Sequence, residues 1–157
     1  MEAVRGHGKD SSGDVEVRDV KSLDIDDSSG DIDVIKVAGN VEVEDSSGDI
    51  DIREAAGEVS VTDSSGDILV RTAGEVKIED DSSGSIRIEK VERDVRIERD
   101  NSGDIVVRLV SGSVGIERDG SGDIDIEEVK RDVHIESDSS GGIDVRNVLG
   151  DVRVDRD

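Results

Sequence analysis

Eight glycines (Gly13, Gly30, Gly48, Gly66, Gly84, Gly103, Gly122 and Gly141) follow one another at intervals of 17, 18, 18, 18, 19, 19 and 19 residues. A near-constant period close to 20 residues marks a repeat architecture and limits the possible folds more than composition does. Each glycine sits in an acid-flanked turn, as in DSSGDIDV (27–34), DSSGDIDI (45–52), DSSGDILV (63–70) and DGSGDIDI (119–126). Between turns, aliphatic residues alternate with polar ones at the period of two expected of half-buried strands. One such set is Ile32, Val34, Val37, Val41 and Val43; it recurs as Ile86, Ile88, Val91, Val95 and Ile97, and as Ile124, Ile126, Val129, Val133 and Ile135. Ala55 and Ala73 are the small members of these columns, and no charge enters them. β-Branched residues dominate, as strands prefer, and Gly-Ser clusters interrupt every window long enough for a helix.

A single period cannot fold alone, because five buried aliphatics do not offset the backbone entropy of ordering about 18 residues. Its backbone hydrogen bonds must come from neighbouring periods. The sequence therefore predicts an all-β chain forming a single right-handed β-solenoid of about eight coils of 17–19 residues. Equivalent positions would stack about 4.8 Å apart. Residues 1–10 are expected to be a frayed lead-in, and residues 11–157 the repeat domain. Length changes fall at corners: Lys21 and Ser22 stand where the next coil has Ala38, Gly39 and Asn40, and later coils gain a residue in ERDNSG and ERDGSG.

Composition narrows the function. The formal charge of −22 excludes a nucleic-acid backbone as the default partner, since that needs clustered Lys and Arg. It also argues against an anionic membrane surface. Solubility is its plain consequence, and the preference for Arg over Lys suits high salt. The chain has no Phe, Tyr or Trp, so its interior must be narrow. Without cysteine neither a disulfide framework nor a thiolate metal site can form. No apolar run approaches the roughly 20 residues of a membrane span, so no membrane insertion is expected. The start, MEAVRGHGKD, lacks an apolar signal-peptide region, which fits a cytoplasmic protein or a mature fragment of an exported one.

Stacking would align acids into columns. Asp14, Asp31, Asp49, Asp67, Asp104 and Asp123 follow the turn glycine, with Ser85 and Gly142 interrupting. Asp27, Asp45, Asp63, Asp81, Asp100, Asp119 and Asp138 precede it, with Asp10 ahead of them. Glu44, Glu79, Glu98, Glu117 and Glu136 make a third column. Unit charges 4.8 Å apart repel by roughly 0.9 kcal/mol even in bulk water, so something must offset the repulsion. One reading is structural: Asp27, Asp45 and Asp63 cap the turns bent at Gly30, Gly48 and Gly66 by accepting local N–H bonds. The other is a cation column of Asp31, Asp49, Asp67, Asp104 and Asp123, gathering Ca²⁺ weakly through oxygen ligands. The paired glycines and nine-residue period of calcium-binding solenoid repeats are missing. No other cofactor is expected.

Catalytic constellations are not expected. His7 lies in the lead-in, and His134 alternates with Val133 and Ile135 on a solvent-facing position without further His or Cys partners. Ser113, near Gly112 and Gly115, does not complete a nucleophile elbow. Phosphate-cradling glycine loops need a following helix, and glycoside chemistry needs a cleft with one carboxyl of raised pKa. The chain reads as a non-enzyme.

The unit SSGDIDVIKVAGNVEVEDSSGDI (28–50) resembles the bacterial adhesin-like family of β-strand-repeat proteins, a family of unknown function with repeats of the form S-G-D-I-x-V-x-x-V-x-G-x-V-x-V. The resemblance extends from about Ser11 to Val154. Two coils, DVKSLDI (19–25) and VERDV (91–95), depart from it by lacking the mid-coil glycine seen at Gly39, Gly57 and Gly150. The resemblance implies a β-helical fold and an exported, periplasmic or cell-surface location, and carries over no catalytic residue. The expected function is a surface or scaffold module presenting side-chain columns to an unknown protein or surface partner. A Ca²⁺-binding repeat module and a rod that self-associates end to end are the alternatives.

Overall fold

The computed structural model describes residues 5–10 and 12–155. Among them there is no helix, and every strand pairing is parallel. Two rows of strands alternate along the chain. The first row holds β2 (Val15–Val20), β4 (Ile32–Val37), the first half of β6 (Ile50–Asp63) and of β7 (Ile68–Asp81), then β8 (Ile86–Val91), β10 (Ile105–Val110), β12 (Ile124–Val129) and β14 (Ile143–Val148). The second holds β1 (Arg5–Asp10), β3 (Ser22–Asp27), β5 (Val41–Glu44), the second halves of β6 and β7, then β9 (Val95–Ile97), β11 (Val114–Ile116), β13 (Val133–Ile135) and β15 (Val152–Val154). Each strand pairs with its equivalents one coil away, for example Ile105↔Ile124 and Val107↔Ile126. The chain is thus a β-solenoid of about eight turns.

Register follows the aliphatic columns. A one-residue slip would turn every Ile and Val outward, so residues such as Val34, Ile52, Val70, Ile88 and Val107 stack like on like in a dry interior. Ala55 and Ala73 sit in the same buried column as Val37 and Val91. Where coil lengths differ, the ladder shifts at a corner. Between β6 and β7 it slips at Ala55/Glu58 and again at Val61/Thr62, which pairs with Asp80. The second shift sets the longer second corner kept by later coils.

Strand pairing starts ahead of residue 11, the expected beginning of the repeat domain. Arg5–Asp10 is strand β1, paired with β3 from Arg5↔Ser22 to Asp10↔Asp27. Its inward positions are glycines: Gly6 lies opposite Leu23 and Gly8 opposite Ile25. A Cβ on Gly6 would come within 2.8 Å of Leu23 Cδ1. The strand therefore carries no aliphatic alternation to read. Residues 1–4 lie outside the described residues.

The mid-coil glycines stand at a corner where successive coils hydrogen-bond to one another. Gly57, Arg93, Gly112, Arg131 and Gly150 occupy one corner column, each N–H donating to the carbonyl of its counterpart one coil earlier, from Gly57 to Gly39 (3.0 Å) through Gly150 to Arg131 (3.2 Å). Arg93 and Arg131 keep the corner intact without glycine. The left-handed bend lies earlier in the coil, at Asp19, Lys36, Glu54, Thr72, Lys90, Leu109, Glu128 and Asn147, all with φ between 54° and 61°. This column contains no glycine, so its sequence signal is absent.

Candidate functional site

The acid-flanked turn that recurs in every coil is the most chemically dense part of the surface. Its glycine has φ between 118° and 138° at all eight positions, a region essentially reserved for glycine. Coils also touch here. A Cβ on Gly66 would lie 1.8 Å from the Gly48 carbonyl oxygen. The second turn serine ties the same coils together: Ser47 Oγ donates to the Ser28 carbonyl at 3.2 Å, and Ser65 Oγ to that of Ser46 at 3.2 Å.

The column before the glycine caps the turn. Asp45 Oδ1 accepts the Ser46 and Ser47 N–H groups at 2.6 and 3.1 Å, and Asp27 Oδ1 that of Ser28 at 2.7 Å. Asp63, Asp81, Asp100 and Asp138 each accept from the serine two residues on at 3.0–3.1 Å. The structure adds what the turn chemistry alone does not show: all seven, Asp27 to Asp138, point inward and are at most 5 % exposed. Asp27, Asp45 and Asp63 continue the inward parity of Leu23–Ile25, Val41–Val43 and Val59–Val61, and that alternation was the available signal. Asp81, Asp100, Asp119 and Asp138 instead lie three residues after Ile78, Ile97, Ile116 and Ile135, the extra corner residue restoring the inward direction. Each of the seven has an Oδ2 with no hydrogen-bond partner, and Asp119 has neither oxygen paired.

Their ionisation follows from this setting. Burial, reinforced by the carboxylates of adjacent coils, raises Asp81 and Asp100 to about 7. Burial, then Asp45, raises Asp63 to about 6, and burial, then Asp138, does the same for Asp119. Asp45 is raised as well, chiefly by burial.

The column after the glycine is exposed and has a different task. Asp14 Oδ1 accepts the Asp31 N–H (3.2 Å), Asp31 that of Asp49 (3.1 Å), Asp49 that of Asp67 (2.9 Å) and Asp67 that of Ser85 (2.9 Å). Asp104 receives Asp123 N–H at 3.0 Å and Asp123 receives Gly142 N–H at 2.8 Å. Each carboxylate clips its coil to the next, which offsets the repulsion along the column. A second set of clips closes the opposite corner: Asn40 accepts from Glu58, Asp94 from Ser113 and Asp132 from Asp151 at 2.8–3.0 Å. Spacing alone did not reveal these, because they occur in only some coils.

The glutamate column is interleaved with cations. Lys77 Nζ reaches Glu79 (2.9 Å) and Glu98 (3.2 Å), Arg96 pairs with Glu98 and Glu117, and Arg99 pairs with Asp80 at 2.7 Å. His134 is half-exposed and bonds Asp155 at 2.8 Å; that contact, with Arg153, holds the Asp155 carboxyl below its usual range. His7 lies on β1, and its side chain falls outside the described residues.

Among the described residues, no group of three or more His, Cys, Asp or Glu side chains is arranged to hold a metal ion. The outer carboxylates Asp14, Asp31 and Asp49 border a shallow groove of about 390 Å³ shared with Asp33 and Asp51. A separate apolar groove of about 330 Å³ runs past Leu109, Val110, Val129 and Leu149. Among the described residues, no helix is long and apolar enough to cross a membrane.

No curated protein and no solved structure matches the chain. A family profile described as Toastrack DUF4097, a domain of unknown function, matches residues 2–94. That span covers the first five turn glycines and ends just before β9, more than half of the chain, and the same coil continues without a break to β15. The chain belongs to the Toastrack DUF4097 family.

Proposed function

We propose that this chain is a non-enzymatic scaffold, an acidic rod that presents rows of charged side chains at fixed spacing to a protein or surface partner in an exported, cell-surface setting. The observation that carries this reading is the use made of the recurring acids. The inner column caps turns, and the outer column accepts backbone N–H groups of the next coil. Both are thereby committed to holding the rod, and the outward rows between corners remain as the displayed surface. Those rows are mixed in sign, as in Arg53 beside Asp51 and Arg108 between Asp125 and Glu127, which suits a partner with its own charge pattern. Adhesion-type presentation is the specific form proposed.

A calcium titration of the full chain separates this from a Ca²⁺-binding module. The scaffold reading predicts no saturable heat and a melting temperature unmoved by millimolar Ca²⁺ at constant ionic strength. A ligand held only by the folded state must stabilise it, so a saturable rise in melting temperature overturns the scaffold reading in favour of calcium sites at Asp31, Asp49, Asp67, Asp104 and Asp123.

A further inference from the structure

We propose that the inward carboxyls from Asp45 to Asp119 form a proton-holding ladder, in which an O–H on Oδ2 of one coil donates to a carboxyl oxygen of the next, making the rod a pH-responsive element that is firmest in mild acid. This goes beyond the scaffold reading and does not depend on it.

The geometry points to protons as the ligand. From Asp63 onward backbone pairing aligns these residues directly, with Asp63↔Asp81 in the β6–β7 ladder and Asp81↔Asp100, Asp100↔Asp119 and Asp119↔Asp138 as parallel bridges. In each residue Oδ2 is buried without a donor. An ionised oxygen in that position is costly. Protonation removes the charge and also creates the missing donor. Coils stack about 4.8 Å apart, so an O–H directed along the rod covers most of the gap to a 2.5–3.0 Å contact. A bare divalent cation would need about six oxygens, and the interior beside this column is Ile and Val.

Arg99, next to Asp100 in sequence, is engaged with Asp80, and the charged groups acting most strongly on the ladder are carboxylates. Within the column they are the neighbours above and below; across the turn they are Asp31, Asp49 and Asp104; and Asp80 lies beside Asp81. No lysine, arginine or histidine figures among the groups acting most strongly on these five carboxyls. The folded rod thus keeps protons that the unfolded chain, with aspartates at the ordinary 3.8, has already released. The ladder's contribution is complete below about pH 4 and is lost as pH rises through 6 to 7. Sites this close titrate as a unit.

The test uses the full chain at fixed ionic strength. Thermal melts between pH 4.5 and 8.5 are compared for the unaltered protein, for D81N with D100N, and for E54Q with E128Q, which removes the same charge from exposed positions. Asparagine keeps the Oδ1 acceptor for Ser83 and Ser102 and supplies a permanent donor. The expected result is a melting temperature that falls by several degrees from pH 5 to pH 8 in the unaltered chain. D81N with D100N should melt several degrees higher than the unaltered chain at pH 8, with a flatter pH profile, and E54Q with E128Q should keep the original slope. Carbon-13 spectra of labelled aspartate carboxyls provide a second measurement, in which a subset should titrate late, near pH 6 to 7. The proposal is overturned if all carboxyl carbons titrate below pH 5, if E54Q with E128Q flattens the profile equally, or if D81N with D100N melts lower at pH 8. Should the ladder variant fail to fold, the carboxyl titration of the unaltered chain decides alone.

Discussion

Gly66 and Thr72 lie six residues apart in one coil, both with positive φ, and replacing them should have opposite effects. Gly66 has φ +133°, and the space where a Cβ would project is filled by the Gly48 carbonyl oxygen. Gly66→Ala should cost about 3 kcal/mol or more, from backbone strain of about 1–3 kcal/mol together with a contact that can relax only by parting two coils. Thr72 has φ 61° and an exposed side chain. A β-branched residue there forgoes about 1–2 kcal/mol, and glycine recovers that less its own entropic cost of about 0.5–1 kcal/mol. Thr72→Gly should therefore raise stability by about 0.5–1 kcal/mol. Denaturant midpoints of the two variants check both signs. The glycine column was plain in the sequence, because only glycine serves there. The left-handed column was hidden, because Asp19, Lys36, Thr72 and Leu109 have no side-chain property in common.

Strands and corners differ in how their residues report them. The Ile and Val alternation places β4, β8, β10 and β12 directly, since a slip of one residue would bury charge. Strand β1 escaped notice because Gly6 and Gly8 replace the inward aliphatics. Among the acids, sequence position aligned the columns and suggested the turn cap, but showed neither the burial of the capping column nor the clip made by the outer one. Asp45 and Asp49 flank the same turn, yet one points inward and the other clips the next coil, a division set by strand parity across the bend. The clip makes a specific expectation. Asp49→Ala and Asp49→Asn lose the same charge and relieve the same repulsion from Asp31 and Asp67, but only asparagine keeps an acceptor for the Asp67 N–H. D49A should be about 1 kcal/mol less stable than D49N, the usual worth of such a bond. Equal midpoints would show that the clip contributes nothing. The ion pairs of the outer rows, such as Lys77 with Glu79, are exposed and worth at most about 1 kcal/mol each, so they add little to stability.

The rod as a unit is held together almost entirely by nearest-neighbour contacts between coils. Its aromatic-free, highly charged composition would by itself suggest disorder; what overrides it is the stacking of each coil's aliphatics on those of the next. Stability in such an array is a sum of coil and interface contributions, so opening should spread inward from the ends. Val15, Val17 and Val20 in β2 and Ile143, Val145 and Val148 in β14 are only partly buried, whereas their counterparts in β6 and β7 are fully enclosed. Amide hydrogen exchange resolved along the chain tests this stacking most directly. Protection should be strongest through β6, β7 and β8 and decline stepwise toward β2 at one end and toward β14 and β15 at the other. Fast, uniform exchange along the chain, or greatest protection in an end coil, would contradict it.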